Sequence, residues 1–160
     1  MIKVLFVCMG NICRSPTAEA VLRHRIERAG LQPRVLVDSA GVRASGSRAS
    51  SPDPRSIAHA ARRGYDLTPL RARPVVPEDF ARFDLIVPMD RGHLDQLAML
   101  APARHDAAIR LLMSFAPPGH GENVPDPYYG GAAGFEHVLD LVELACDGLL
   151  EYLYSPQGAR

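Results

Sequence analysis

The sequence predicts an α/β fold in a single domain, a doubly wound four-stranded parallel sheet with helices on both faces. Three observations lead there. Short apolar segments rich in β-branched residues recur along the chain, each bounded by turn residues. Segments with helical spacing stand between them, and such alternation closes into a parallel sheet covered on both sides. The length of 160 residues, 47% of them apolar, suits one core.

The elements follow in order. Ile2 to Val7 is a short buried strand. Pro16 to Ala29 is a helix with Ala20, Val21 and Ile26 on one side and Gly30 at its end. Arg34 to Asp38 is the second strand, followed by a Ser-, Ala- and Gly-rich loop to Asp53. Helices are predicted at Pro54 to Arg63, closed by Gly64, and at Pro77 to Phe83. Asp84 to Pro88 is the third strand, Asp90 to Leu100 a helix, and Ile109 to Met113 the fourth strand. A Pro- and Gly-rich loop spans Ala116 to Gly131, and Phe135 to Tyr154 is the last helix.

Composition narrows the function. The formal net charge is zero, which implies no surface for nucleic acid. No run approaches the roughly 18 apolar residues of a membrane span, and the first residues are too short for a signal peptide. A cytoplasmic location with no membrane partner is expected. Three cysteines, Cys8, Cys13 and Cys146, do not make a disulfide framework.

The stretch VLFVCMGNICRSPTAEAV, residues 4–21, carries the chemistry. Its strand ends at Cys8, where ligands of parallel sheets bind. Met9 to Arg14 then joins strand to helix, so backbone N–H groups and the helix N-terminus can converge on an anion. Gly10 and Asn11 tolerate positive φ. Ser15 suits an N-cap and Pro16 the first helical position. A thiol beside a helix N-terminus and a guanidinium loses its proton readily. Arg14 can hold two oxygens of a tetrahedral oxyanion. The loop therefore reads as a phosphate-binding loop after the first strand, built for attack on phosphorus. A Cys–x5–Arg pair alone is weak evidence, and the plain alternative is a buried structural cysteine; the strand, Gly-Asn and Ser-Pro context favours chemistry. A Walker loop is excluded because the only lysine is Lys3.

Expulsion of an alkoxide or phenoxide benefits from a general acid. Asp126, between two prolines in VPDPYYGG, sits in a long loop where functional groups are commonly presented. By spacing alone, a Pro-Asp turn with packing tyrosines explains Asp126, Tyr128 and Tyr129 equally well.

With CMGNICRSPTAEAV at 8–21, DSAG at 38–41, PDPR at 52–55, EDFARFDLIVPMD at 78–90 and DPYYGG at 126–131, the chain resembles the low molecular weight protein tyrosine phosphatases nearly end to end. The resemblance implies one such domain over 1–160, its last few residues a tail. It implies hydrolysis of a phosphotyrosine protein or a small aryl phosphate through a phosphocysteine, with inorganic phosphate as product, no cofactor and no metal. Cys8 would be the nucleophile, Arg14 the phosphate clamp and Asp126 the acid and then the base, with Ser15 bonded to the thiolate. Asn11 would hold the loop's conformation, with Ser39 as its partner. Met9, Gly10, Ile12, Cys13, Tyr128 and Tyr129 would line the substrate and phosphate pocket. Cys13 would lie close enough to trap Cys8 as a disulfide.

The sequence departs from the family in three places. The loop VRASGSRASS at 42–51 is small and one residue longer. Leu70 stands where a histidine is common, removing a hydrogen bond beneath the loop. His93 replaces a frequent asparagine. These are expected to modulate activity. Cys146 reads as a buried structural cysteine, Asp90 and Asp53 as helix-start or turn residues, and the six histidines as surface or solvated residues without metal-ligand spacing.

Two alternatives compete. An arsenate reductase on the same fold needs resolving cysteines to relay a disulfide, and none lies between Cys13 and Cys146. A non-catalytic phosphotyrosine-binding module is disfavoured by the intact Cys8, Arg14, Ser15 and Asp126 set.

Overall fold

The structure is a computed structural model that describes residues 1–44 and 50–154. The tail expected at the last few residues and part of the 42–51 loop lie outside the described residues.

Four parallel strands form one sheet: β1 (Ile2–Cys8), β2 (Val35–Gly41), β3 (Leu85–Pro88) and β4 (Ala108–Ile109), in the order β2-β1-β3-β4. The chain leaves β1 toward β2 on one side and later returns to β3 on the other. The carboxyl end of β1 is thus a topological switch point, where crevices open in sheets of this kind. Cys8 is its last residue.

Strand alternation sorts β1 between two cores. Val4, Phe6 and Cys8 face α1 (Arg14–Arg28), α2 (Pro54–Arg62) and α5 (Ala132–Leu153). Leu5 and Val7 face a layer of Phe80 from α3 (Asp79–Arg82), Phe83 just after it, Ile86 of β3 and Leu97 from α4 (Arg91–Leu100). Burial on both faces is why β1 reads as an unbroken apolar run. Helix α5 packs so tightly on the 3₁₀ turn Leu112–Phe115 that a Cβ on Gly148 would stand 1.8 Å from the Phe115 carbonyl oxygen.

Several boundaries differ from the sequence expectation. The fourth strand is only Ala108–Ile109, not Ile109 to Met113; Leu112 and Met113 instead enter the 3₁₀ turn and are buried there. An apolar run of that length serves either conformation. Helix α1 begins at Arg14, so Ser15 is not its N-cap; Cys13 holds that position without a side-chain cap bond. Pro16 still falls in the first turn, where no N–H partner is required. Helix α2 does begin as expected, with Asp53 as N-cap accepting from Arg55 N–H at 2.8 Å. Among the described residues no helix is long and apolar enough to cross a membrane.

The histidines are a correction. His59 and His93 are buried, not solvated, and His93 is 1% exposed. His59 lies against Glu136 and stacks on Phe135, whereas His93 sits beneath the site. Cys146 is fully buried.

Candidate active site

The loop after β1 is held from outside. Cys8, Met9 and Ile12 carbonyls accept from Val42, Arg43 and Asp53 N–H at 3.0, 2.9 and 2.8 Å. A loop whose carbonyls are committed outward curls with N–H groups on its concave side, an anion cradle. Gly41 lies against this curl: a Cβ there would meet the Met9 carbonyl oxygen at 2.6 Å and the Asn11 nitrogen at 2.9 Å.

Asn11 sets the curl, with φ of 58°, a left-handed conformation that Asn tolerates better than most residues. Its side chain turns away from the cavity and is buried. Oδ1 accepts from Arg73 N–H at 3.0 Å, and Nδ2 donates to Ser15 Oγ at 2.8 Å and Ser39 Oγ at 2.9 Å. The backbone donor decides which end of the amide is oxygen. Ser39 passes its hydrogen to Glu19 Oε1 at 2.7 Å. Burial raises the Glu19 carboxyl, against the opposing pull of Ser39 and Arg23.

These directions determine what Ser15 does. Its oxygen accepts from Asn11, leaving one hydrogen for Cys8 Sγ at 2.9 Å or the Ala40 carbonyl at 3.5 Å. The contact to sulfur is the shorter, and with Cys8 as a thiolate, which can only accept, it runs from the Ser15 hydroxyl to the sulfur. Leu70, where loss of a hydrogen bond beneath the loop is expected, makes an apolar contact instead, packing on the core. The Arg73 guanidinium is itself locked by Asp38 and Asp79.

Arg14 is 4% exposed. One terminal nitrogen donates to Asp90 Oδ2 at 2.9 Å and to the Val124 carbonyl at 3.0 Å. The other lies 3.4 Å from His93 Nε2 and 3.8 Å from Asp126 Oδ2. Val124 N–H donates to the Met89 carbonyl at 2.9 Å, pinning the long loop to the end of β3 two residues before Asp126. Asp126 Oδ1 accepts from Tyr128 N–H at 3.0 Å, so Oδ2 is the oxygen turned toward Arg14.

One cavity of about 180 Å³ is lined by Cys8, Met9, Gly10, Ile12, Cys13 and Arg14 from the loop and by Asp126, Tyr128 and Tyr129 opposite. Of the residues expected to bind substrate or phosphate, Met9, Gly10, Ile12, Cys13, Tyr128 and Tyr129 are there, whereas Asn11 is not: its side chain is buried beneath, with Ser15 and Ser39. A larger depression of about 490 Å³ around Met1, Ile26 and Leu36 has no thiol or hydroxyl side chain among its described lining residues. Burial pushes the Cys13 thiol up to about 11, with the nearby Asp53, Cys8 and Asp126 adding to the rise against a Ser56 hydrogen bond.

Spacing did not single out Asp90, His93, Val124 and Arg73 as site residues. Asp90 is the helix start expected of it, accepting from His93 N–H at 2.9 Å, and it also holds Arg14. Its place just beyond β3, at the switch point, was the available signal.

Comparison with known proteins decides the family. Residues 3–157 match the family described as low molecular weight phosphotyrosine protein phosphatase. The chain belongs to that family. The phosphatases of this family are cysteine-dependent hydrolases. A low molecular weight protein-tyrosine-phosphatase of Streptomyces coelicolor is 50% identical over 151 residues, 92% of this chain and 91% of the relative. The protein tyrosine phosphatase of Entamoeba histolytica superposes with a TM-score of 0.90 at 38% identity, covering 96% of this chain and 97% of that one. A Drosophila arginine phosphatase superposes with a TM-score of 0.89 at 33% identity, covering 97% and 99%.

Proposed function

We propose that this phosphatase hydrolyses phosphotyrosine and aryl phosphate monoesters through a phosphocysteine on Cys8. The convergence of Cys8, Arg14 and Asp126 on one small cavity carries the reading.

The Cys8 thiolate attacks phosphorus while loop N–H groups and the α1 N-terminus face the equatorial oxygens. Arg14 holds two of those oxygens, one of its terminal nitrogens held from behind by Asp90 and Val124. As the P–O bond to the leaving group breaks, Asp126 Oδ2 delivers a proton to that oxygen. The phosphocysteine remains, and Asp126 is a carboxylate. It takes a proton from water, the water oxygen attacks phosphorus, the S–P bond breaks, and the sulfur leaves as a thiolate that the Ser15 hydroxyl stabilises. Inorganic phosphate departs. Packing of both faces of one sheet supports reading the chain as a single domain.

Likeness to an arginine phosphatase raises a second substrate, phosphoarginine. The cavity walls favour the aryl ring: Met9, Ile12, Tyr128 and Tyr129 are apolar or aromatic, and Asp126 is the only carboxylate among the described lining residues. A disulfide relay of the arsenate reductase kind finds no exposed third thiol, since Cys146 is buried.

Rapid-quench mass spectrometry with phosphotyrosine and phosphoarginine peptides tests the reading. One phosphoryl group on Cys8 and faster turnover of phosphotyrosine are expected. Preference for phosphoarginine would replace the substrate; phosphorylation elsewhere would remove Cys8 from its role.

A further inference from the structure

We propose that His93 is a positioning residue for Arg14, its imidazole accepting from the guanidinium and so fixing the plane in which Arg14 meets phosphate. The inference rests on the reading of Arg14 as the phosphate clamp.

The geometry begins with the backbone. Asp90 caps α4 by accepting from His93 N–H at 2.9 Å, which places the imidazole in the first turn, pointing under the loop. The ring is 1% exposed. Its Nε2 lies 3.4 Å from an Arg14 terminal nitrogen, at the long end of hydrogen bonding. The other terminal nitrogen is already held by Asp90 Oδ2 and the Val124 carbonyl. Both of those bonds act at one end of the guanidinium; a contact at the other terminal nitrogen restrains the far end as well, and bidentate recognition of phosphate needs a fixed plane.

The contact also fixes the tautomer. Arginine only donates, so Nε2 must offer its lone pair and the ring proton must sit on Nδ1. That atom lies 3.1 Å from Asp90 Oδ1 but off the line of a hydrogen bond, and it has no hydrogen-bond partner among the described residues. The charged groups facing the ring are Arg14 from α1, Asp90 from the end of β3 and Asp126 from the long loop. Burial, seconded by Arg14 and opposed by Asp90 and Asp126, lowers the imidazole to about 4. The ring is therefore a neutral acceptor at neutral pH; a protonated ring would set N–H against N–H.

The test compares wild type, H93L and H93Q, since glutamine carries a polar atom near the position of Nε2 and leucine does not. Thermal melts check folding, and the readouts are inhibition by inorganic phosphate and kcat/KM for aryl phosphates with good and poor leaving groups. H93L is expected to weaken phosphate inhibition and lower kcat/KM by about 10–100-fold, the worth of a hydrogen bond to a charged group. The loss should be alike for both leaving groups, because Arg14 touches phosphate and not the leaving oxygen. H93Q should stay within about threefold of wild type.

A folded H93L with wild-type phosphate affinity, an H93Q no better than H93L, or a loss confined to poor leaving groups would overturn the proposal. Imidazole ¹⁵N spectroscopy of the wild-type protein tests it without substitution. A proton on Nδ1 is expected, and a proton on Nε2 would overturn it, since Arg14 would then face a donor. Failure of wild type to hydrolyse any aryl phosphate would instead sink the functional reading, and the tautomer result would stand apart from it.

Discussion

Ser15 Oγ stands 2.9 Å from Cys8 Sγ, and the chain of donors behind it, from Asn11 through Ser39 to Glu19, leaves its hydrogen to point at the sulfur. The bond matters most when the sulfur is the leaving group. Ser15→Ala is therefore expected to slow phosphocysteine hydrolysis by about 10–100-fold, and its formation less. Stopped-flow release of p-nitrophenol would then show a burst followed by a slow steady rate. Equal slowing of burst and steady rate would contradict the assignment.

Asp126 Oδ2 faces the cavity because Oδ1 is taken by Tyr128 N–H. Asp126→Ala is expected to cut kcat/KM, which reports the steps through leaving-group departure, by about 10²–10⁴-fold for poor leaving groups, the usual worth of a general acid. The cut should shrink for good leaving groups, which depart without a proton. A leaving-group series gives the slope that checks this.

Gly41 has no room for a methyl group, with the Met9 carbonyl 2.6 Å from where its Cβ would be. Gly41→Ala must push the phosphate loop. Displacement of reacting groups by about 1 Å costs about 10²-fold, and a loss of that order in kcat/KM is expected. Phosphate inhibition should weaken alongside it. Wild-type kinetics in this variant would mean that the loop's curl is not what matters.

Much of the site was legible because its residues are close in sequence and their types are chemically uncommon together. Cys8 ends a strand, Arg14 opens a helix, and Gly-Asn marks the tight curl between them. Asp126 stood out by its two prolines. The supports were hidden for a physical reason. Asn11 is held by a backbone N–H 62 residues away, and any non-proline residue carries one. His93 and Asp90 meet Arg14 only because β3 pairs beside β1. Local pattern also could not separate a fourth strand from the 3₁₀ turn at Leu112 and Met113, nor show that Ser15 lies inside the helix it was expected to cap.

The thiols should differ in reactivity. Cys13, raised by burial to about 11, stays protonated at pH 7.5, and burial raises fully enclosed Cys146 further. Iodoacetate at neutral pH is expected to modify Cys8 alone, with inorganic phosphate protecting it, as peptide mapping would show. Since the folded value for Cys13 lies above its ordinary 9.0, its contribution to stability is full below about pH 9. It is lost as pH rises toward about 11. Denaturant melts over that range in wild type and Cys13→Ala measure the difference; the wild type should lose more.

The central claim is that Cys8 attacks phosphorus. Hydrolysis of p-nitrophenyl phosphate by wild type and Cys8→Ser, with chelator present and phosphate binding measured in parallel, tests it most directly. The expected result is turnover in wild type, none in the variant, and phosphate bound by both. Hydrolysis retained by Cys8→Ser would contradict it.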